Sequence, residues 1–488
     1  MHAESLMNRI AGRQARLGIM GLGYVGLPLA RAFAEAGFTV AGFDTDPAKR
    51  AALLAGRSYL KHIPAETLAP LVTAGKLVPE QGFAGLGACD AVIICVPTPI
   101  TRTRDPDLSF VEATGHAIAK ALRPGQLVVL ESTTYPGTTD EVLRPILEAG
   151  GLEAGRDFFL AFSPEREDPG NDRYGTRDIP KVVGADDADS RRLAEALYGS
   201  IVPRVVPVSN ARTAEAVKLT ENIFRSVNIA LVNELKVIYE ALGIDIWEVI
   251  EAAKTKPFGY MAFYPGPGLG GHCIPIDPFY LSWKARAHEV EAACIELAGE
   301  VNRAMPGRAV ARLADALNER SGKGLKGARV LVLGLAYKKN VDDTRESPAF
   351  ALIERLEAKG AEVDYHDPHV PVVPTRGGGS FHRVQGGPPP TLPGDEPRLA
   401  TVISVWSGAV DPPAPPVPVV PRPREHARLA GRRSVALTET NLAGYDAVLI
   451  APDHAGVDYA LVGRAARLVV DTRNALAGIA TATPVVKA

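Results

Sequence analysis

A glycine- and proline-rich run near the middle of the chain carries the residues best suited to covalent chemistry. It reads Pro-Gly-Pro-Gly-Leu-Gly-Gly-His-Cys-Ile-Pro-Ile-Asp-Pro over residues 265–278. So many glycines cannot hold a stable helix, so the run is predicted to be a loop whose backbone can lie close to a ligand. A lone cysteine is normally an inert small hydrophobic residue. Cys273 in this loop, with Asp277 four residues on, instead suits a thiolate nucleophile beside a carboxylate.

A lysine and an amide lie four residues apart in a predicted helix. Lys218 and Asn222 belong to Lys-Leu-Thr-Glu-Asn, within a stretch that has apolar residues at helical spacing. Residues four apart share one helix face, so the two side chains point the same way. Such a pair could stabilise an oxyanion or relay a proton. Spacing by itself favours the alternative, which is a solvent-facing helix surface.

Two polar segments directly follow apolar strands. Glu131-Ser132-Thr133 comes after Leu-Val-Val-Leu, and Ser163-Pro164-Glu165-Arg166 comes after Phe-Leu-Ala-Phe. In open α/β sheets, ligands bind at the carboxyl ends of the strands. Both segments are therefore well placed to line a site.

A glycine turn near the N-terminus predicts a dinucleotide site. Gly21-Leu-Gly23-Tyr-Val-Gly26 follows an apolar strand and opens a helix. Its glycines permit a tight turn, a close approach to a pyrophosphate, and close helix–strand packing. Asp44 ends the next strand, where a carboxylate accepts the ribose hydroxyls and repels a 2′-phosphate, which favours NAD over NADP. Lys49 could touch the adenosine side, although a solvated helix lysine is equally expected.

Two parts of the chain share the strand–turn–helix–strand design that would position these residues. The first runs from Arg16 to Asp44, and the second from Lys326 to Pro368. Both have the βαβ pattern of a doubly wound sheet, and further apolar strands follow each of them. The second turn, Gly334-Leu-Ala336, lacks the full fingerprint and is predicted to serve another ligand.

The remaining segments differ in kind. Residues 211–318 are predicted to be mostly helical, either as scaffold or also as a dimer seam. Residues from about 371 to 424 are rich in Pro and Gly and are bracketed by a repeated Val-Pro-Val-Val-Pro. We interpret them as a flexible surface insertion rather than a functional lid.

Length, composition and charge limit the class of protein to which this chain can belong. The chain has 488 residues, which predicts two or three domains, with 46% hydrophobic and 23% charged residues. A formal net charge of -2 argues against a nucleic-acid binder. Its four cysteines make neither a disulfide framework nor a CxxC metal pair, and Cys89, Cys95 and Cys294 lie in apolar patterns typical of inert residues. No signal peptide or membrane span is evident, so a cytoplasmic protein without a metal is predicted.

These motifs together resemble the UDP-glucose/GDP-mannose dehydrogenase family over nearly the whole chain. The matching signatures are Gly-Leu-Gly-Tyr-Val-Gly-Leu from Gly21, Cys-Val-Pro-Thr-Pro (95–99), Glu-Ser-Thr, Ser-Pro-Glu-Arg, Lys-Leu-Thr-Glu-Asn, Gly-Gly-His-Cys-Ile-Pro-Ile-Asp-Pro, and Ala-Tyr-Lys-Lys-Asn-Val-Asp-Asp-Thr-Arg-Glu-Ser-Pro (336–348).

The resemblance implies an α/β fold of two Rossmann-like doubly wound domains joined by a helical dimerisation domain. The NAD-binding domain is expected over residues 1–209, the helical domain over 210–318, and a UDP-binding domain with the insertion over 319–488. A homodimer or higher homo-oligomer, a UDP-sugar substrate and a role in polysaccharide biosynthesis are implied as well.

The resemblance also implies a four-electron oxidation of the sugar's primary alcohol by two NAD molecules, without release of the aldehyde. Cys273 would form a thiohemiacetal and then a thioester, which water hydrolyses. Lys218 and Asn222 would stabilise the oxyanion. Asp277 and Thr133 would position the water, and Glu165 would act in general acid–base steps.

Binding residues are implied in the same way. Besides the three turn glycines, Asp44 and Lys49, the cofactor contacts implied are Tyr24, Val25, Pro97, Thr98, Ser132, Thr133 and Arg345. Besides Lys218 and Asn222, the substrate contacts implied are Glu165, Arg166, Lys338, Arg473 and the loop from Tyr264 through Gly268 to Gly270.

Two local features bear on the sugar. Ser-Pro-Glu-Arg-Glu-Asp-Pro-Gly-Asn (163–171) followed by Ile-Pro-Lys-Val-Val-Gly (179–184) is similar to members acting on UDP-N-acetylglucosamine. Glucose-type members carry an Arg from the partner subunit where this chain has Lys256-Pro-Phe. UDP-N-acetylglucosamine is therefore the predicted substrate, with UDP-glucose and UDP-N-acetylmannosamine as alternatives.

Two rival functions come from other classes. A non-catalytic nucleotide-sugar sensor would be expected to have lost Cys273 or Lys218, and neither is lost. A two-electron alcohol dehydrogenase would need neither the cysteine loop nor a second nucleotide domain.

Overall fold

The computed structural model describes residues 2–60, 63–101, 103–166, 175, 177–271, 273–373, 426 and 428–488. The Pro/Gly-rich insertion predicted at about 371–424 lies almost wholly outside these residues. At its base, Val372 forms an antiparallel bridge with Arg433. The described part contains two α/β sheets separated by long helices, which confirms the predicted fold class.

The first sheet occupies the N-terminal part of the chain. Its strands lie in the order β3-β2-β1-β4-β5-β6-β7-β8, and β1 to β6 are parallel. The strands are β1 (Arg16–Met20), β2 (Thr39–Phe43), β3 (Leu77–Pro79), β4 (Ala91–Ile94), β5 (Leu127–Leu130), β6 (Phe159–Phe162), β7 (Lys181–Gly184) and β8 (Val205–Val208).

Helices cover both faces of this sheet, which explains why its central strands are continuous apolar runs. They are α1 (His2–Ala11), α2 (Gly26–Glu35), α3 (Pro47–Leu54), α4 (Ala65–Thr73), α5 (Ser109–Ala119), α6 (Arg144–Glu148) and α7 (Ala188–Tyr198). A 3₁₀ turn at Ala84–Ala88 and a π turn at Thr139–Leu143 complete this part.

The last two strands reverse the direction of the sheet. β7 pairs antiparallel with β6, and β8 runs parallel to β7. A reversed strand begins at the edge where its parallel neighbours end. Lys181, the first residue of β7, therefore lies at the carboxyl edge of β5 and β6.

Long helices follow the first sheet. They are α8 (Ala211–Ala241), α9 (Ile246–Ala253), α10 (Asp277–Arg286) and α11 (Ala293–Ser321). The Asn210 side chain caps α8 by accepting from the Thr213 N–H at 2.8 Å. α8 and α11 pack together, and a buried hydrogen bond joins Asn233 to Asn302 at 3.0 Å.

The second sheet is parallel throughout, in the order β10-β9-β11-β12-β13. Its strands are β9 (Arg329–Leu333), β10 (Glu362–His366), β11 (Ala447–Ile450), β12 (Val469–Asp471) and β13 (Val485–Lys487). Its helices are α12 (Pro348–Ala358), α13 (Glu439–Ala443) and α14 (Tyr459–Ala465). Helix α11 runs into this part of the chain and packs against α12.

Candidate active site

The first glycine turn leaves room for a ligand beside Gly23. Gly21 has a φ of 94°, and a Cβ there would lie 2.6 Å from the carbonyl oxygen of Cys95. A Cβ on Gly26, the first residue of α2, would lie 1.8 Å from the carbonyl oxygen of Gly21. Around Gly23 no described heavy atom comes within 4 Å of such a Cβ. The turn is thus tightly packed at Gly21 and Gly26 and open at Gly23, as binding of a pyrophosphate at a helix N-terminus requires.

Asp44 lies beside this turn, just beyond β2. Its carboxylate accepts from the Leu22 N–H at 2.8 Å and from the Lys49 ammonium at 2.7 Å. Lys49 is buried, so the alternative of a solvated helix lysine is wrong. The carboxylate thus fixes the turn, and its contact with the ribose stays a prediction.

An arginine of the C-terminal part covers the turn. The Arg345 guanidinium lies 4.5 Å from the ring centre of Tyr24 and is paired with Asp343. Burial raises the pKa of Tyr24 to about 12. Two of the predicted cofactor residues are therefore in contact with each other across the two α/β parts.

The other predicted cofactor residues lie at the ends of β4 and β5 and at the start of α2. Val25 is the N-cap residue of α2. Pro97 and Thr98 follow β4, and the carbonyl of Thr98 accepts from the Tyr280 hydroxyl. Ser132 and Thr133 follow β5, and the Ser132 hydroxyl donates to the carbonyl of Val96 at 2.6 Å. Their cofactor contacts stay a prediction.

The cysteine loop lies between the two α/β parts. The Gly271 N–H donates to the carbonyl of Arg345 at 3.0 Å, and the Arg473 guanidinium donates to the carbonyl of Pro265 at 3.1 Å. Cys273 is half-buried, and its carbonyl accepts from the Asp277 N–H at 2.8 Å as α10 begins. The C-terminal part therefore contacts the loop at its first residue, Pro265, and at Gly271 in its middle.

Helix α8 brings the predicted lysine and amide to the same place. Lys218, Asn222 and Asp277 are 5%, 0% and 1% exposed, so the alternative of a solvent-facing surface is wrong. The Asn222 amide donates to one oxygen of Asp277, and Arg225 donates to the amide oxygen of Asn222. Among the described residues, the other carboxylate oxygen of Asp277 has no hydrogen-bond partner.

Burial controls the protonation of this group. Burial raises the pKa of Asp277 from its ordinary value of 3.8 to about 7, although Lys218 and the Asn222 hydrogen bond oppose the rise. Burial also raises the pKa of the Cys273 thiol, and the negative charge of Asp277 adds to the rise. The cations Lys218, Arg345 and Arg225 act in the opposite direction.

Glu165 and Arg166 follow β6 and belong to a neighbouring group. The Glu165 carboxylate lies 3.2 Å from the ammonium of Lys181. Arg166 forms an ion pair with Glu221 at 2.6 Å, in the helical turn of α8 that also carries Asn222. The segment is thereby held against the same stretch of α8 as the group around Cys273.

The predicted substrate residues differ in their surroundings. Gly268 and Gly270 pack on the C-terminal part, because a Cβ on either would meet Pro348 or Tyr337 at 3.0 and 2.6 Å. Lys338 lies in the segment after β9, and Arg473 lies just beyond β12. The Tyr264 hydroxyl instead donates to Glu251 on α9, at 2.9 Å. Their substrate contacts stay predictions.

The second glycine turn repeats the arrangement of the first but is closed. Asp367 follows β10 as Asp44 follows β2, and its carboxylate accepts from the Leu335 N–H at 2.6 Å. Its other partners are the N–H groups of Ala336, His369 and Val370 and the ring of His454 at 3.0 Å. The carboxylate has no exposed surface, so it is unavailable to a ribose.

Three residues of the site went unassigned in the sequence. Arg225 lies three residues beyond Asn222 on the same helix face, a spacing that could have signalled it. Buried Glu215 accepts from the Gly137 and Thr139 N–H groups at 2.6 and 2.9 Å and holds the segment after Thr133. Lys181 had no local signal, because its place depends on the reversal of β7.

The described residues contain no cluster of three or more His, Cys, Asp or Glu that could hold a metal. Within the same ranges, no helix has the length and apolar character needed to span a membrane. Cys89 and Cys95 are buried, whereas Cys294 is exposed. That the three cysteines are inert stays a prediction.

Comparison with known proteins matches three consecutive segments to one family. Residues 15–202 match the NAD binding domain of the UDP-glucose/GDP-mannose dehydrogenase family, 212–304 its central domain, and 331–384 its UDP binding domain.

Individual relatives cover most of the chain. A UDP-N-acetyl-D-mannosamine dehydrogenase of Pyrococcus horikoshii is 37% identical over 356 residues, 73% of this chain and 84% of that protein. A UDP-N-acetyl-D-glucosamine 6-dehydrogenase of Pseudomonas aeruginosa is 37% identical over 360 residues, with the same two coverages of 73% and 84%. The solved structure of the Pyrococcus horikoshii UDP-D-ManNAc dehydrogenase has a TM-score of 0.77 at 30% identity, covering 96% of this chain and 98% of that one.

The two α/β parts, the glycine turn and the cysteine loop define an NAD-dependent dehydrogenase of nucleotide sugars. The chain belongs to the UDP-glucose/GDP-mannose dehydrogenase family.

Proposed function

We propose that this protein oxidises the primary alcohol of a UDP-N-acetylhexosamine, with UDP-N-acetylglucosamine as the first choice, to the uronic acid. The observation that carries the proposal is the buried group of Lys218, Asn222 and Asp277 around the Cys273 loop. That loop is held between the part with the open glycine turn and the UDP binding part.

The cofactor is assigned to the open turn. Gly21, Gly23 and Gly26 would hold the pyrophosphate, and Asp44 the ribose, because the space before Gly23 and the strand-end carboxylate fit a dinucleotide. NAD supplies a hydride acceptor for each of the two oxidation steps. Arg345 and Tyr24, which contact each other across the two α/β parts, would lie at the rim of this site.

Cys273 supplies the covalent step. Its sulfur adds to the carbonyl carbon of the aldehyde, and the thiol proton must leave as the carbon–sulfur bond forms. Asp277 is suited to exchange that proton, since its pKa of about 7 leaves it divided between two protonation states near neutrality. Lys218 and Asn222 would stabilise the oxyanion that develops on the former aldehyde oxygen.

The thioester formed by the second oxidation is released by water. Asp277 has one buried carboxylate oxygen without a hydrogen-bond partner among the described residues, and this oxygen would accept a hydrogen bond from a water molecule bound inside the site. Thr133 at the end of β5 would help to place that water. Glu165 would take its proton as the carbon–sulfur bond breaks and the thiol is restored.

The choice of sugar rests on the motifs at 163–171 and 179–184 and on one relative that carries this substrate in its name. UDP-N-acetylmannosamine is the second candidate, because a relative of equal identity and a solved structure that covers nearly the whole chain are named for that sugar. UDP-glucose is a weaker alternative, since Lys256-Pro-Phe replaces the partner-subunit Arg expected of that type.

A substrate panel with an end-point NADH count tests the proposal. UDP-N-acetylglucosamine, UDP-N-acetylmannosamine, UDP-glucose and GDP-mannose are each consumed to completion with excess NAD. We expect about two NADH per sugar from an N-acetylated substrate, because two hydrides are removed. One NADH with free aldehyde would identify a two-electron dehydrogenase, and no NADH with any sugar would favour the nucleotide-sugar sensor.

We also propose a homodimer built on α8. Phe224, Leu231 and Ile238 recur every seven residues on this helix and are 48%, 53% and 45% exposed. Such an exposed apolar stripe is typical of a protein–protein contact. The cytoplasmic location predicted from the sequence stays a prediction.

A further inference from the structure

A buried lysine joins two carboxylates at the carboxyl edge of the first sheet. The Lys181 side chain is 8% exposed and forms ion pairs with Glu131, which has no exposed surface, and with Glu165. The Tyr198 hydroxyl donates to the other oxygen of Glu131 at 2.7 Å. The Lys181 ammonium also lies 5.3 Å from the ring centre of Tyr198.

The topology of the sheet creates this contact. Glu131 follows β5, Glu165 follows β6 after the Ser163-Pro164 step, and Lys181 begins β7. Only because β7 runs against β6 does its first residue lie at the edge where β5 and β6 end. The lysine therefore contacts the carboxylate that follows the neighbouring strand β6 and, across the end of β6, the carboxylate that follows β5.

Lys181 is the cation that both carboxylates of this group share. Burial raises the pKa of Glu131 to about 7, while the ion pair with Lys181 opposes that rise. Burial also opposes the charged form of Lys181, yet its two carboxylate partners raise its pKa above the ordinary value. On the outer side, the Arg166 N–H donates to Glu165 at 2.6 Å, and the Arg166 guanidinium is taken by Glu221. Among the residues that the structure describes, buried Cys95 is a further titratable neighbour of Glu131, Lys181 and Glu165.

We propose that Lys181 is a positioning residue for Glu165. Anchored by Glu131 and Tyr198, its ammonium holds the Glu165 carboxylate in one orientation at the strand ends, ready to receive the proton of the hydrolytic water. This inference rests on the proposed function, because it needs the thioester step in which Glu165 acts.

A purely structural ion pair is the alternative. Buried ion pairs are weak sources of stability, since desolvation of the charges offsets most of their attraction. Here one cation serves two carboxylates, and the partner that is fully buried, Glu131, has no proposed contact with substrate. An anchor on one side and a proposed catalytic carboxylate on the other is the arrangement expected of a positioning residue.

Lys181→Met removes the ammonium and keeps a long unbranched side chain. Lys236→Met is the matched control, because Lys236 is also 8% exposed and paired with one carboxylate, Glu240. Lys181→Arg retains the cation. In Glu131→Gln/Lys181→Met both buried charges of the anchoring pair are removed together, which provides a foldable variant if the single substitution fails to fold.

The readout is NADH formed in stopped flow, followed by the steady state. In wild type we expect a smaller burst than in the variant, because Glu165 is held in place for hydrolysis. In Lys181→Met we expect a burst of about two NADH per active site, because both hydride steps precede hydrolysis. Steady-state turnover should then fall about 10- to 100-fold, part of the about 10²- to 10⁴-fold that a positioned acid–base group contributes. The acid limb of the pH profile of turnover should move up by about one pH unit, because the loss of the ammonium favours the protonated form of Glu165. KM should change less than turnover.

Lys181→Arg should recover much of the rate, the double variant should show the same burst, and Lys236→Met should match wild type. Burst and steady state falling together would overturn the inference and leave Lys181 a structural residue. An unchanged turnover in Lys181→Met would overturn it as well, while the proposed function would stand. Failure of the proposed function shows differently: wild type itself would form no NADH, or one per sugar, and the inference would fall with it.

Discussion

Asp277→Asn is expected to stabilise the protein at alkaline pH while it abolishes hydrolysis. The carboxylate of Asp277 is buried and receives one hydrogen bond, from Asn222, while its second oxygen has no partner among the described residues. An ionised carboxylate in such a place destabilises the folded state unless enough charge compensates it. Asparagine has nearly the same shape and no charge to desolvate.

The magnitude follows from the shift of the pKa. A rise from 3.8 to about 7 is roughly three units, so the folded state disfavours the ionised form by about 4 kcal/mol. Because the folded pKa is raised, the unfolded chain ionises first. Wild type is therefore at no disadvantage below about pH 4, loses stability as the pH rises towards 7, and levels off above it. The attraction of Lys218 is already included in the shift.

Thermal unfolding of both proteins at pH 5 and pH 8 measures the effect. The free energy of unfolding of Asp277→Asn should exceed that of wild type by about 2 to 3 kcal/mol more at pH 8 than at pH 5. This corresponds to a difference on the order of 5–10 °C in Tm. Asp189→Asn, which changes a half-exposed carboxylate on α7, is the control and should show no widening. A difference between Asp277→Asn and wild type that is constant or narrows with pH would refute the account of a buried, undercompensated charge.

Three other substitutions test separate parts of the site. Asp44→Ala should weaken NAD binding by about 1.5–3 kcal/mol, as for a lost charge-assisted hydrogen bond, and should narrow the preference for NAD over NADP. Unchanged affinity in a titration would make Asp44 only a brace of the glycine turn. Cys273→Ser should still bind NAD and UDP-sugar but stall at or before the covalent stage, because an alcohol is far less nucleophilic than a thiol; sustained carboxylate production would remove the thioester from the mechanism. Leu231→Arg, in the exposed stripe of α8, should convert a dimer to monomers in sedimentation, and an unaltered mass would place the contact elsewhere.

Parts of the site that depend on neighbouring residues in the chain were predictable from the sequence. The glycine turn and Asp44 are linked by one βαβ unit, so their spacing fixes their relation in space. The cysteine loop was predicted for the same reason, since its glycines exclude a helix over a short stretch.

Other parts depend on contacts between distant segments. Spacing by itself favoured a solvent-facing surface for Lys218 and Asn222, because it gives the shared helix face but not what covers it. Only the family resemblance placed them in the site. The cover is α10 and its preceding loop, about fifty residues further on, and Asp277 at the start of α10 receives the Asn222 hydrogen bond. Lys181 lies at the site only through the reversed pairing of β7, which no local pattern of apolar residues encodes.

The closed second turn has a consequence for the order of events. The Asp367 side chain has no exposed surface, whereas that of Asp44 keeps 8% exposure. We therefore place the ribose of the dinucleotide at Asp44 and not at Asp367. In the proposed reaction, two cofactor molecules must then bind one after the other at the same site. The carbon–sulfur bond to Cys273 keeps the half-oxidised sugar tethered while the spent cofactor departs and a fresh one arrives. The cellular ratio of reduced to oxidised cofactor would act on that exchange, and so set how long the enzyme waits between its two oxidations.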